Sequence, residues 1–143
     1  MKKIVEIVME SRQSIPGEDT LPVFVRTEGA WYEKNGTHYL LFEETGEDGA
    51  VTQSRARIRP ERFDIKKSGE VATHLFFEEG KTHEAGYETP FGSIPISVRT
   101  EKLVAEIGDE SLLVELWYRI SHGGGAEAEC RMRFSAQEKS RLP

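Results

Sequence analysis

The sequence predicts an all-β protein: one antiparallel up-and-down barrel of about eight to ten strands spanning residues 1–143. Three observations predict it. The dominant hydrophobic period is two, as in half-buried strands, and no segment sustains the i, i+3, i+4 stripe of an amphipathic helix. Turn-forming residues fall at even spacing between nearly every pair of β-rich runs. The one basic run that a helix could accommodate, residues 54–63, contains Pro60, which would break it. A meander this long presents edges that invite pairing with other chains, and closing or folding the sheet over itself removes them. Short hairpin connections favour the up-and-down barrel over a sandwich.

The elements follow in order. Val5, Ile7 and Met9 alternate with Glu6 and Glu10, which makes the first strand half-buried. Residues 14–22 hold two prolines and a glycine, a loop composition. Val23–Glu28 is β-rich and alternating. Asn35-Gly36, between Trp31–Lys34 and Thr37–Glu44, is the strongest short hairpin signal in the chain, because both turn positions need positive φ. Glu44–Gly49 turns the chain into Thr52–Arg59. Pro60-Glu61 and Ser68-Gly69 bracket Phe63–Lys67. Val71–Phe77 and Thr82–Thr89 follow, separated by Glu79-Gly80. After Pro90-Phe91-Gly92 comes Ser93–Ala105, with a break expected near Pro95 or at Glu101-Lys102. Leu112–Ser121 and Glu127–Ser135 flank Gly123-Gly124-Gly125, a glycine hairpin turn, and residues 136–143 read as a frayed tail.

Composition bounds the function. The 143 residues are one domain's worth, with 37% apolar and 31% charged residues. Acidic residues number 25 against 19 basic, a net charge of −6, which opposes general nucleic-acid binding. A single cysteine excludes a disulfide framework and a cysteine-rich zinc site. The N-terminus lacks the apolar core of a signal peptide, and no apolar run approaches the roughly 18 residues of a membrane-spanning helix. The expectation is a soluble cytoplasmic protein that engages neither membrane nor nucleic acid.

Several constellations bear on chemistry. Arg55, Arg57 and Arg59 share one face of one strand, and three guanidinium groups on an inward face would make an anion site. On an outward face the same residues discourage edge pairing. The four histidines, His38, His74, His83 and His122, have no metal-ligand spacing, so no metal is expected. His122-Gly123-Gly124-Gly125 mimics an esterase oxyanion motif but lacks a GxSxG partner. Cys130 shares a face with Met132 and Phe134 and reads as a small core residue rather than a nucleophile. His83, Ala85, Tyr87 and Thr89 share a face, as do Ile94, Ile96, Val98 and Thr100. If both faces point inward, His83, Tyr87, Thr89 and Thr100 set a few polar groups among apolar walls, the composition of a small-molecule pocket. The alternative is that they pack the core.

The segment FFEEGKTHEAGYETPFGSIPISVRT, through Phe77, Gly80, Tyr87, Thr89, Gly92 and Thr100, resembles the signature region of the YwiB-like family of small bacterial proteins of unknown function. GAWYEKNGTHYLLFEE and LLVELWYRI fit the same layout, so the resemblance spans nearly the whole chain. It implies a calycin-type barrel, similar in shape to lipocalins, and supplies no catalytic set and no cofactor.

The resulting expectation is a non-enzymatic binding module holding a small amphipathic or anionic ligand. Tyr87, Thr89, Thr100 and His83 would serve as ligand contacts, and Arg55, Arg57 and Arg59 as anion contacts. The rivals are a filled barrel acting through its surface or a homodimer interface, and an enzyme using arginines and carboxylates inside the barrel.

Overall fold

The computed structural model describes residues 2–15, 17, 21–122, 125 and 127–139. They form ten strands: β1 (Lys3–Ser14), β2 (Val23–Lys34), β3 (Thr37–Thr45), β4 (Val51–Arg59), β5 (Arg62–Ser68), β6 (Thr73–Phe77), β7 (Thr82–Thr89), β8 (Gly92–Ile107), β9 (Ser111–His122) and β10 (Glu127–Glu138). All pairings are antiparallel, in the order β6-β5-β4-β3-β2-β1-β10-β9-β8-β7. The sheet curls until its two outer strands meet. There Ala72 and Glu88 exchange backbone hydrogen bonds of 2.9 and 2.8 Å, and the barrel is nearly closed.

Local chemistry explains the joints. Asn35 and Gly36 take φ of 53° and 78°, the pair of positive values a two-residue hairpin needs, and Lys34 pairs with Thr37 across them. The break expected in β8 is a bulge. The register steps from Thr100 opposite Tyr118 to Lys102 opposite Trp117, leaving Glu101 over, and the strand continues to Ile107. The tail expected to fray is strand as far as Glu138, because that residue pairs with Val5 and the Lys139 amide donates to the Ile4 carbonyl at 3.0 Å. Of the glycine turn expected at 123–125, Gly123 and Gly124 lie outside the described residues, while the Gly125 amide donates to the His122 carbonyl at 2.9 Å.

Period-two alternation assigns the faces. Val5, Ile7 and Met9 point in, as do Ala56 and Ile58, Phe63 and Ile65, and Leu112, Val114 and Leu116. A string of rings crosses the interior: Phe42 to Phe134 at 6.0 Å, Phe134 to Phe63 at 5.5 Å, Phe63 to Phe77 at 5.8 Å, and Phe77 to Tyr118 at 4.9 Å. These are ordinary separations for tilted and edge-to-face rings, so the waist of the barrel is packed with side chains.

The two ends differ. In an up-and-down barrel the loops after β1, β3, β5, β7 and β9 gather at one end, called here the odd-loop end. Among the described residues, seven of the nine exposed large apolar side chains flank those loops: Leu21, Val23, Phe24, Val51, Val71, Phe91 and Ile94. At this end β2 and β3 also part. Their pairing stops at Gly29 opposite Phe42, although both strands run on. Gly29 is needed there, because a Cβ at this position would lie 2.7 Å from the Leu41 carbonyl oxygen and 2.6 Å from Ile7 Cδ1.

Candidate functional site: an inner bowl and an outer arginine pocket

Above the ring string, towards the odd-loop end, the interior turns polar. Phe42 pairs with Ser54, Ser54 with Lys67, and Lys67 with Thr73, which gives one inward row across β3 to β6. Lys67 follows Phe63 and Ile65 on the same face of β5, so the alternation that buries those two aims Lys67 into the barrel. Its Nζ meets the Glu44 carboxylate at 3.3 and 3.4 Å, longer than a tight charge-assisted bond. On either side of Lys67, Ser54 and Thr73 are 4% and 8% exposed, and neither hydroxyl has a hydrogen-bond partner among the described residues. Glu44 also borders the opening where β2 and β3 separate, a cleft of about 530 Å³ whose lining includes Phe24, Val25, Arg26, Glu43 and Thr52. The arrangement is a shallow bowl: an aromatic floor, a polar wall carrying donors and acceptors, and an apolar rim.

The four inner residues singled out by sequence are not brought to one rim. His83 and Thr89 are six positions apart, about 20 Å of strand, so β7 carries them to opposite ends of the barrel. Thr89 serves its own turn: its hydroxyl donates to the Gly92 carbonyl at 2.8 Å and accepts from the Phe91 amide at 3.1 Å. Tyr87 is half-buried and stacks on His122 at 6.4 Å, and burial pushes its phenol up. One step from the Ala72–Glu88 bridge, antiparallel register sets Thr73 beside Tyr87, so Tyr87 borders the bowl. Thr100 is fully buried opposite Tyr118, its hydroxyl without a partner among the described residues. Its backbone binds Gly80 at 2.8 Å and Lys81 at 3.1 Å. His83 Nε2 meets Glu78 Oε1 at 3.0 Å, near the opposite end. The sequence reading missed Glu44, Ser54, Lys67 and Thr73. The available signal was a lysine in phase with Phe63 and Ile65.

The arginine face of β4 lies on the outer wall, because Ser54, Ala56 and Ile58 are the buried set. Arg57 Nε donates to both oxygens of Asp64, at 3.0 and 2.9 Å. Asp64 is only 3% exposed although it too faces outward, and His74 Nε2 stands 3.0 Å from its Oδ1. Arg59 Nε donates to Thr37 Oγ1 at 2.7 Å. Arg57, Arg59 and Arg62 border a cavity of about 120 Å³ with Thr37, Tyr39 and Asp64. Tyr39 is held there by stacking on Tyr32 at 4.9 Å. Arg55 does not line this cavity. Arg62, Asp64 and Thr37 were not foreseen, since they come from neighbouring strands.

Elsewhere, burial pushes the Cys130 thiol up to about 11, against the smaller effect of a hydrogen bond with Tyr118, so the sulfur is a protonated, weakly nucleophilic group at neutral pH. Among the described residues, no three His, Cys, Asp or Glu side chains converge to hold a metal ion, and no helix is long and apolar enough to cross a membrane.

Comparisons with known proteins agree with this architecture. A family profile described as "Domain of unknown function (DUF1934)" matches residues 7–134. A solved structure, the crystal structure of the ywiB protein from Bacillus subtilis, superposes with a TM-score of 0.87 at 18% identity, covering 97% of this chain and 94% of that one. The search of curated proteins returned no match.

Proposed function

The chain belongs to the DUF1934 family, and we propose that it is a non-enzymatic cytoplasmic binding protein that takes a small amphipathic molecule into the odd-loop end of its barrel. One observation carries this reading: two buried hydroxyls without partners among the described residues flank an inward-pointing lysine whose ion-pair partner, Glu44, lines an open cleft. A buried polar group left unpaired costs roughly 1–3 kcal/mol, so Ser54 and Thr73 gain from an occupant that supplies hydrogen bonds. Lys67 offers donors and Glu44 offers acceptors, which suits a head group carrying both. The apolar rim suits a hydrocarbon tail lying across the mouth rather than through the packed waist.

A second reading draws on the ring string. With the waist filled, the same rim could instead cover another protein or a second copy of this chain. A thermal-shift screen of fatty acids, isoprenoid alcohols and phosphorylated metabolites separates the two. The ligand reading expects a tailed amphiphile to raise the melting temperature of the wild type and to lose that effect in Lys67→Met. No shift from any class, together with dimerisation that Phe24→Ser and Phe91→Ser abolish, would hand the function to the interaction reading.

A further inference from the structure

We infer that the outer-wall pocket of Arg57, Arg59 and Arg62 is a second, separate binding site, for a tetrahedral oxyanion: phosphate or sulfate, free or borne as a phosphomonoester. It lies on the opposite face of the sheet from the bowl and does not depend on the bowl's ligand.

The argument begins with how the arginines are engaged. Arg57 presents only its Nε to Asp64, which grips that one nitrogen with both carboxylate oxygens. Arg59 likewise uses its Nε on Thr37. Held by their Nε atoms and making no other side-chain hydrogen bond among the described residues, both guanidinium groups keep their terminal amino groups for another acceptor. Arg62 completes the set. Its Nε is buried with no hydrogen-bond partner among the described residues, because the nearest carboxylate, on Glu78, stops at 3.9 Å, while its guanidinium lies over the Phe76 ring at 5.0 Å.

Charge and size point the same way. Three guanidinium groups face one lining carboxylate, Asp64, which is occupied by Arg57 and His74. Counting Glu78 as well leaves the pocket with a net positive charge. Arginine forks match the oxygens of phosphate and sulfate, and the orientation of Arg57 by a buried carboxylate fixes its geometry in advance. The cavity of about 120 Å³ is well below the roughly 300 Å³ at which pockets for whole drug-sized ligands begin, so it accommodates an oxyanion group and leaves any attached body outside.

The test titrates inorganic phosphate, sulfate, glycerol 3-phosphate and chloride at constant ionic strength. It follows melting temperature and the arginine Nε–H signals in NMR. The expected result is a saturable stabilisation by phosphate and sulfate but not by chloride, with the Arg59 and Arg62 Nε–H signals moving in the wild type. Losing one charge-assisted contact weakens binding roughly tenfold or more in Arg59→Gln and in Arg62→Gln, whereas Arg133→Gln, on β10 across the barrel, binds as the wild type does. Tighter binding of glycerol 3-phosphate than of inorganic phosphate makes the occupant a phosphomonoester, and the reverse makes it the free ion. A response that does not saturate, that chloride reproduces, or that survives both glutamine substitutions without movement of the Arg59 and Arg62 signals overturns the assignment.

Discussion

Replacing Phe63 with alanine probes whether the barrel is filled or hollow. Phe63 is fully buried at the centre of the ring string, 5.5 Å from Phe134 and 5.8 Å from Phe77. Truncating a close-packed phenylalanine costs about 3–5 kcal/mol in lost transfer energy and cavity formation. The two ring contacts place the change towards the top of that range, since aromatic pairs add about 0.5–1.5 kcal/mol each beyond area burial. A domain of 143 residues has roughly 7–21 kcal/mol of stability in all, at about 0.05–0.15 kcal/mol per residue. The variant should therefore fold but unfold at a much lower urea concentration, with a melting temperature about 10–15 °C lower. Urea titration followed by tryptophan fluorescence measures this. A loss under about 1.5 kcal/mol with an unchanged m-value would mean that the ring already borders a void, and the packed waist would have to be abandoned.

Gly36→Val should cost about 1–2 kcal/mol by forcing a β-branched residue to a φ of 78°, although nothing crowds the position; unchanged thermal stability would remove the tight hairpin. Gly29→Ala meets a backbone oxygen at 2.7 Å and should destabilise even though its backbone is ordinary, so an equal or higher melting temperature would show that β2 and β3 do not pass so closely there. Burial pushes the Glu78 carboxyl up, but hydrogen bonds and charge from Lys81, the charge of Arg62 and a bond with His83 outweigh it, holding the group below its ordinary 4.5. Its stabilising effect is thus present above 4.5 and lost as pH falls through the folded value. Glu78→Gln should lower the melting temperature at neutral pH, with the gap to the wild type closing in acid; a gap that widens in acid reverses the sign. Finally, the net charge of −6 predicts no binding to duplex DNA or RNA at physiological salt, and tight, salt-sensitive binding in a fluorescence titration would count against it.

Much of the fold was legible because strand alternation and turn chemistry are local. Asn35-Gly36 declares its turn, and Val5, Ile7 and Met9 declare their face. The bowl was not legible, because its row is assembled by register: Ser54, Lys67 and Thr73 lie on three strands, and only the pairing of β4, β5 and β6 brings them side by side. The same holds outside. The spacing of Arg57 and Arg59 was visible, but Thr37 is 22 residues away from Arg59 and the buried Asp64 comes from the next strand. Grouping Tyr87 with Thr100 failed for a related reason. Turn proximity places Tyr87 near the odd-loop end, while the length of β8 carries Thr100 to the level of the β6–β7 connection, where its backbone binds Gly80 and Lys81 and it faces Tyr118.

The claim that the odd-loop end holds a ligand is tested most directly by an NMR titration of the labelled protein. The probes are decyl chains bearing carboxylate, hydroxyl or sugar heads, each kept below its micelle concentration. The account predicts saturable shifts for at least one head group, centred on Glu44, Ser54, Lys67, Thr73 and Tyr87, with the Lys67 ammonium moving most. Shifts confined to the rim at Phe24, Val51 and Phe91, or no saturable shift with any head group, would contradict it.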